Sequence, residues 1–199
     1  MVCLMRPSVT TLISAIAILL AILVCATPVV VQAARDIVPT QTFDYKSGGF
    51  RYYDDILGTH YPLYVKGRRY GDLGIWLGGR DDKPVGQMSG GWKRRFRIRK
   101  GVHQVTMSID YSASLSLSNE HPPKRVDLKV RAAGKWYNLA HLSRNTAYGR
   151  GTISGHKTFQ IGPLHPGVYY IELIATMNRK DGRGDIADVH YDNFRLTLH

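Results

Sequence analysis

Beyond residue 33 the chain contains no cysteine, since both of its cysteines, Cys3 and Cys25, fall in the first 33 residues. Disulfide scaffolds and thiol nucleophiles are thereby excluded from the remainder, and its stability must come from a packed apolar core. No long run with a 3.6-residue apolar period occurs there either, which argues against a helical bundle. Acidic residues are scarce. Fifteen Asp and Glu stand against 27 Lys and Arg, and the first 33 residues hold one of the cations and none of the acids, leaving a formal +11 on the rest. The Gly-x-Ser-x-Gly and His-Glu-x-x-His signatures are missing. Glycoside hydrolysis needs two facing carboxylates, whereas Asp54-Asp55 and Asp81-Asp82 are neighbours that a strand would point in opposite directions.

Residues 1–33 consist of one cation, Arg6, a long apolar run, and Val31-Gln32-Ala33 in the small-residue pattern of a cleavage site. This reads as a secretory signal peptide cut after Ala33 and predicts an exported protein, secreted, periplasmic or at the cell surface. The apolar run approaches the ~20 residues that span a bilayer, so an uncleaved anchor is the alternative. Lipid modification at Cys25 is disfavoured by Val24 before it. The 166 residues from 34 to 199 suit one domain with a substantial core. A strongly basic exported domain points to acidic polysaccharide, lipopolysaccharide or an anionic membrane surface as partner rather than to nucleic acid, with simple solubility as the plainer account.

What is present is a two-residue beat. Val105, Met107, Ile109 and Tyr111 alternate with Thr106, Ser108 and Asp110; Val126, Leu128 and Val130 alternate with Asp127, Lys129 and Arg131 before a turn at Gly134. Tyr169, Ile171, Leu173 and Ala175 form the core side of a long strand, and Phe96 and Ile98 alternate with Arg95, Arg97 and Arg99. Residues 77–91, rich in Gly and Asp, read as a loop before Trp92. The pattern predicts an all-β, two-sheet antiparallel sandwich, of jelly-roll type. In the closing segment the beat of Phe194, Leu196 and Leu198, run backwards, places Asp192 on the apolar side, where a bare carboxylate is costly.

Three stretches carry a resemblance: GGFRYYDDILGTHYPLY, GQMSGGWKRRFRI, and GVYYIELIATMNRK with VHYDNFRL. In order and spacing they resemble exported bacterial jelly-roll modules of the galactose-binding-like, carbohydrate-binding type, over about Phe43 to Leu198. The resemblance implies a non-catalytic carbohydrate-binding sandwich. It also implies a structural calcium ion between first and last strands, with Asp192 a ligand and Asp44, Asp54 and Asp55 supplying further oxygens, since calcium takes 6–8 oxygen donors. The alternatives for Asp192 are that it caps backbone amides or is turned by twist toward solvent. Asn178, Asp185 and Asp188, near the final strand, would shape the ligand or calcium site.

For the ligand itself, Tyr52, Tyr61, Tyr64 and Tyr148 are the candidate stacking rings, and Trp76, Trp92 and Trp136 are assigned to the core. Arg95 and Arg97 would pair with uronate or sulfate groups, Asn178 with hydroxyls; a solvated or edge-protecting basic face is the competing account of the arginines. The function expected is binding of an anionic polysaccharide or surface glycan. An envelope or extracellular interaction sandwich is the second expectation and a polysaccharide lyase the third. A lyase set of His103, Tyr111 and Arg95 can be composed, but no lyase motif occurs in order and spacing. Arg183-Gly184-Asp185, a tripeptide that adhesion receptors read, is taken as incidental in so Arg- and Gly-rich a chain.

Overall fold

The computed structural model describes residues 34–199 except Tyr45, 61–64, Tyr70, 79–84, 118–123, 145–148 and 180–185; the leader, Tyr61, Tyr64, Tyr148, Asp81-Asp82 and Arg183-Gly184-Asp185 therefore lie outside the described residues. The described chain is all strand: β1 (Arg35–Gln41), β2 (Arg51–Tyr53), β3 (Val65–Arg68), β4 (Leu73–Gly78), β5 (Val85–Ile98), β6 (His103–Leu117), β7 (Lys124–Ala132), β8 (Lys135–Arg144), β9 (Gly149–Leu164), β10 (Gly167–Arg179) and β11 (Ile186–Leu198). Every pairing is antiparallel. One sheet runs β3-β4-β11-β6-β9 with β1 added along β11, and the other runs β2-β5-β10-β7-β8. The inward faces of the two sheets share one core, so the expected two-sheet sandwich of jelly-roll type is what the sequence builds.

Alternation positions the core as anticipated on most strands. Val105, Met107 and Ile109 of β6, Val126, Leu128 and Val130 of β7, and Ile171, Leu173 and Ala175 of β10 are buried, and Gly134 makes the β7–β8 turn with a φ of 80° that favours glycine. Two buried aromatic side chains among the described residues cross the sandwich to satisfy their polar atoms on the far sheet. Trp92 Nε1 on β5 donates to Gly74 O of β4 at 3.1 Å, and the Tyr191 hydroxyl on β11 donates to Ile174 O of β10 at 2.8 Å.

Four expectations are corrected. The Gly-rich stretch 77–91 is largely strand, since β4 extends to Gly78 and β5 begins at Val85. Glycine serves packing there: a Cβ on Gly90 would lie 2.5 Å from Val65 Cγ1, and one on Gly91 would lie 2.7 Å from the Leu173 carbonyl oxygen. Trp76 is only half-buried and Trp136 is 49% exposed, so of the three tryptophans Trp92 alone is in the core. Tyr52 turns inward rather than out, its ring 5.2 Å from that of Trp92 and its hydroxyl buried. Finally, Asp192 is not on the core side. Between Asp192 and Arg195 the β11–β6 register shifts, with Asn193 at a φ of 48°, and this bulge inverts the beat: Ala187, Val189 and Tyr191 are buried before it, Phe194 and Leu196 after it. Asp192 therefore falls in with Asp188 and His190 on the opposite face of the sheet.

Candidate functional site

The outward face of the six-stranded sheet is polar across its width. Register places Lys66, Trp76, Asp188, Ser114 and Thr152 in one cross-strand row and Arg68, Gly74, His190, Ser112 and Ser154 in the next. Serine and threonine sit mid-sheet because β6 alternates them with Ala113 and Leu115, which go to the core. Their small side chains leave a groove of about 380 Å³ bounded by Arg150 on one side and by Asp188 and His190 on the other. Gly74 keeps the next strand low beside His190, whose Nδ1 would lie 3.6 Å from a Cβ there.

His190 is the electrostatic centre of this face. Its Nδ1 lies 2.7 Å from Asp72 and its Nε2 3.3 Å from Asp188. The carboxylates of Asp188 and then of Asp72 hold its pKa up at about 10 against the partial burial that opposes it, so the ring is an imidazolium at neutral pH. Asp188 is correspondingly held below the usual carboxylate range, first by His190, with Arg68 and Arg150 contributing their charge. Arg68 also lies over the Trp76 ring, 5.8 Å from its centroid.

Further along the same face lies a second group of carboxylates. Asp192 pairs in register with Asp110, and burial together with the charges of Asp44, Asp72 and Asp110 pushes its carboxyl above the usual value. Its Oδ1 accepts from the Asn193 amide at 2.8 Å, while the Asn193 side chain donates to Asp110 at 2.7 Å and His156 Nδ1 lies 2.5 Å from Asp110. Of the four residues expected to hold calcium, Asp44 and Asp192 thus share one neighbourhood. Asp54 and Asp55 belong to the turn after β2, where Asp55 accepts from the Thr59 amide and hydroxyl and the His60 amide. As they stand, no three His, Cys, Asp or Glu side chains among the described residues converge closely enough to hold a metal ion, so the arrangement does not form a ready calcium cage.

The expected ligand residues are dispersed. Arg95 and Arg97 are exposed on the outward face of the five-stranded sheet, opposite Tyr170 and Val168 in register, while Asn178 is exposed toward the far end of the same strand pair. The composed lyase set does not assemble: His103 contacts Lys100 O at 2.7 Å, Tyr111 is eight residues along β6, roughly 26 Å at strand spacing, and Arg95 is on the other sheet. Sequence reasoning placed Asp188 near a site but missed Ser112, Ser114, Thr152, Ser154, Arg150 and His190. The Ser112, Ser114, Ser116 alternation was the available signal; the residues opposite it come from β9 and β11, far along the chain.

No protein-family model matches the chain, and no curated protein matches it. Solved structures similar to it include the CBM22-1 xylan-binding domain from Paenibacillus barcinonensis Xyn10C, at 14% identity over 84% of this chain and 96% of that one, with a TM-score of 0.34. A CBM4 structure is similar at 15% identity over 79% and 100%, TM-score 0.31, and TmCBM61 in complex with β-1,4-galactotriose at 12% over 84% and 88%, TM-score 0.28. At such scores the sandwich rests on its own strand pairing and burial.

Proposed function

We propose that this chain is an exported, non-catalytic carbohydrate-binding protein that takes an anionic polysaccharide in the groove over β6, β9 and β11. The observation that carries the reading is the groove itself: a floor of serine and threonine hydroxyls bounded by Arg150, Asp188 and His190. Serine and threonine hydroxyls both donate and accept, so a row of them can exchange hydrogen bonds with successive hydroxyls of a glycan chain. Arg150 adds charge-assisted bonds to carboxylate or sulfate groups. The non-catalytic reading is supported by the geometry of His190, whose two ring nitrogens face Asp72 at 2.7 Å and Asp188 at 3.3 Å, which leaves that ring no free nitrogen to exchange a proton with substrate.

The test is binding of polygalacturonate, alginate and neutral xylan, galactan and mannan at low and moderate salt, by calorimetry, for wild type, Arg150→Ala and Ser114→Trp. Binding to a uronate polymer that Ser114→Trp abolishes and Arg150→Ala weakens about tenfold, the loss of one charge-assisted contact of roughly 1.5 kcal/mol, is the expected result. Equal affinity for all polymers removes the anionic specificity. Absence of binding removes the function, and unsaturated product from uronates, followed by absorbance, replaces it with a lyase.

Calcium enters as a separate proposal, supported by the negative charges of Asp44, Asp72 and Asp110 that act on the Asp192 carboxyl. A calcium-dependent rise in Tm that Asp192→Ala loses is its expected signature, and an unchanged Tm removes it. The glycan reading takes no step through the ion.

A further inference from the structure

We infer that the turn end of the five-stranded sheet is a docking surface for an anionic lipid bilayer. This concerns the other sheet and stands or falls apart from the glycan groove. The large hydrophobic side chains exposed among the described residues are Tyr53, Val102, Trp136, Val168 and Tyr170, each 45–55% accessible. Four of these five gather at one end of the sandwich. Val168 and Tyr170 follow the β9–β10 turn and lie opposite Arg97 and Arg95 of β5. Val102 tips the β5–β6 connection, which leaves β5 at Ile98, the residue paired with Gly167. Trp136 follows the β7–β8 turn, tied to the same place by a hydrogen bond from the Ala133 amide to Tyr170 O.

Cations are interleaved with these side chains. Arg95, Arg97, Arg99, Lys100 and Lys135 are all exposed. The one carboxylate in these rows among the described residues, Glu172, is buried and already neutralised, by Lys93 at 2.9 Å and by a hydrogen bond from Arg131. That network in turn sets Lys93 over the Tyr170 ring, 4.6 Å from its centroid, and Arg131 over Trp136 at 5.1 Å. The turn is rigid beneath: Tyr169 stacks on Phe96 at 5.6 Å and donates from its hydroxyl to His165 O.

Amphipathic aromatics, apolar turn tips and a basic surround match the headgroup region of a bilayer, where rings sit at the interface and each cation near an anionic surface adds attraction. The two valines decide between polyanions. A polysaccharide gains neither stacking nor hydrogen bonds from Val102 and Val168, whereas acyl chains accept them. The chain also enters the sandwich at this end, since Arg35 pairs with Leu198 and Leu198 with Val105, next to the β9–β10 side.

The experiment uses the chain from Ala34, which carries the whole core from Val38 to Leu196, with the full chain alongside. It is sedimented with vesicles of phosphatidylcholine alone and with phosphatidylglycerol added. Binding is expected only to the anionic vesicles, falling about 5-fold for each charge removed in Arg95→Gln and Arg97→Gln, and falling again in Val102→Ser/Val168→Ser, with Tm unchanged. Brominated lipid quenches Trp136 fluorescence in the bound state, and Trp136→Phe loses that quenching while Trp76 and Trp92 keep theirs unquenched. Equal binding to neutral vesicles, or binding indifferent to these substitutions, overturns the inference. Failure to bind vesicles while a soluble polyanion binds, and is lost in the arginine variants, reassigns the surface to anionic polysaccharide.

Discussion

At the scale of single residues, Asp192 and His190 pull stability in opposite directions on one face. The folded carboxyl of Asp192 is raised by burial and by Asp44, Asp72 and Asp110, so the native state prefers it protonated. Its contribution therefore turns unfavourable as pH rises past the unfolded value near 3.8, and remains so at neutral pH. In the presence of chelator, Asp192→Asn keeps the acceptor for the Asn193 amide and removes the repulsion, so Tm at pH 7 is expected to rise by on the order of a degree or two, with no rise at pH 3. For His190 the sign is reversed. A folded pKa raised to about 10 from 6.5 stabilises fully below 6.5 and loses that stabilisation as pH climbs toward 10. His190→Gln is expected to flatten the stability profile between those limits and to lower stability at pH 6 by about 1 kcal/mol, the small size reflecting partial solvent screening. Denaturant titrations at pH 6, 8 and 10 check both the sign and the window. A histidine beside two acidic residues is visible in sequence only as Asp188-x-His190; that Asp72 is the second partner depends on β4 pairing with β11.

At the scale of strands, β5 shows why glycine repeats were misread. Ser89-Gly90-Gly91-Trp92 has the composition of a loop, but Gly90 makes room for Val65 and Ile75 across the core and Gly91 for Ile56 on the outside. Gly91→Ala would set a Cβ 2.7 Å from the Leu173 carbonyl, a backbone atom that cannot rotate aside, and is expected to cost about 1–3 kcal/mol by denaturant unfolding. Where side chains on both faces of a strand were ordinary, as in β6, β7 and β10, alternation was legible residue by residue. Where partners distant in sequence set the packing, it was not: the inward turn of Tyr52 requires Gly67, whose Cβ would lie 2.5 Å from its ring. The phase of β11 was legible in part, because Ala187, Val189 and Tyr191 keep one beat and Phe194 and Leu196 keep the other. Extending the second beat through Asp192 and Asn193 concealed the bulge between them.

At the scale of the whole molecule, the two layers are joined by apolar contact and, among the described residues, by two buried hydrogen bonds, from Trp92 to Gly74 O and from Tyr191 to Ile174 O. Tyr191→Phe preserves the ring and its packing and deletes one of these bonds. The expected loss is about 1 kcal/mol, roughly 2–4 °C in Tm for a domain of this size, read by calorimetry with no change in the far-ultraviolet spectrum. No equivalent covalent tie exists, because residues 34–199 contain no cysteine. The pairing of Arg35 with Leu198 has a topological corollary. A short Gly-Ser bridge between Ala34 and His199 would close the backbone into a ring, and cutting that ring at the exposed Gly134 would give a circular permutant with the same strands in a new order along the chain.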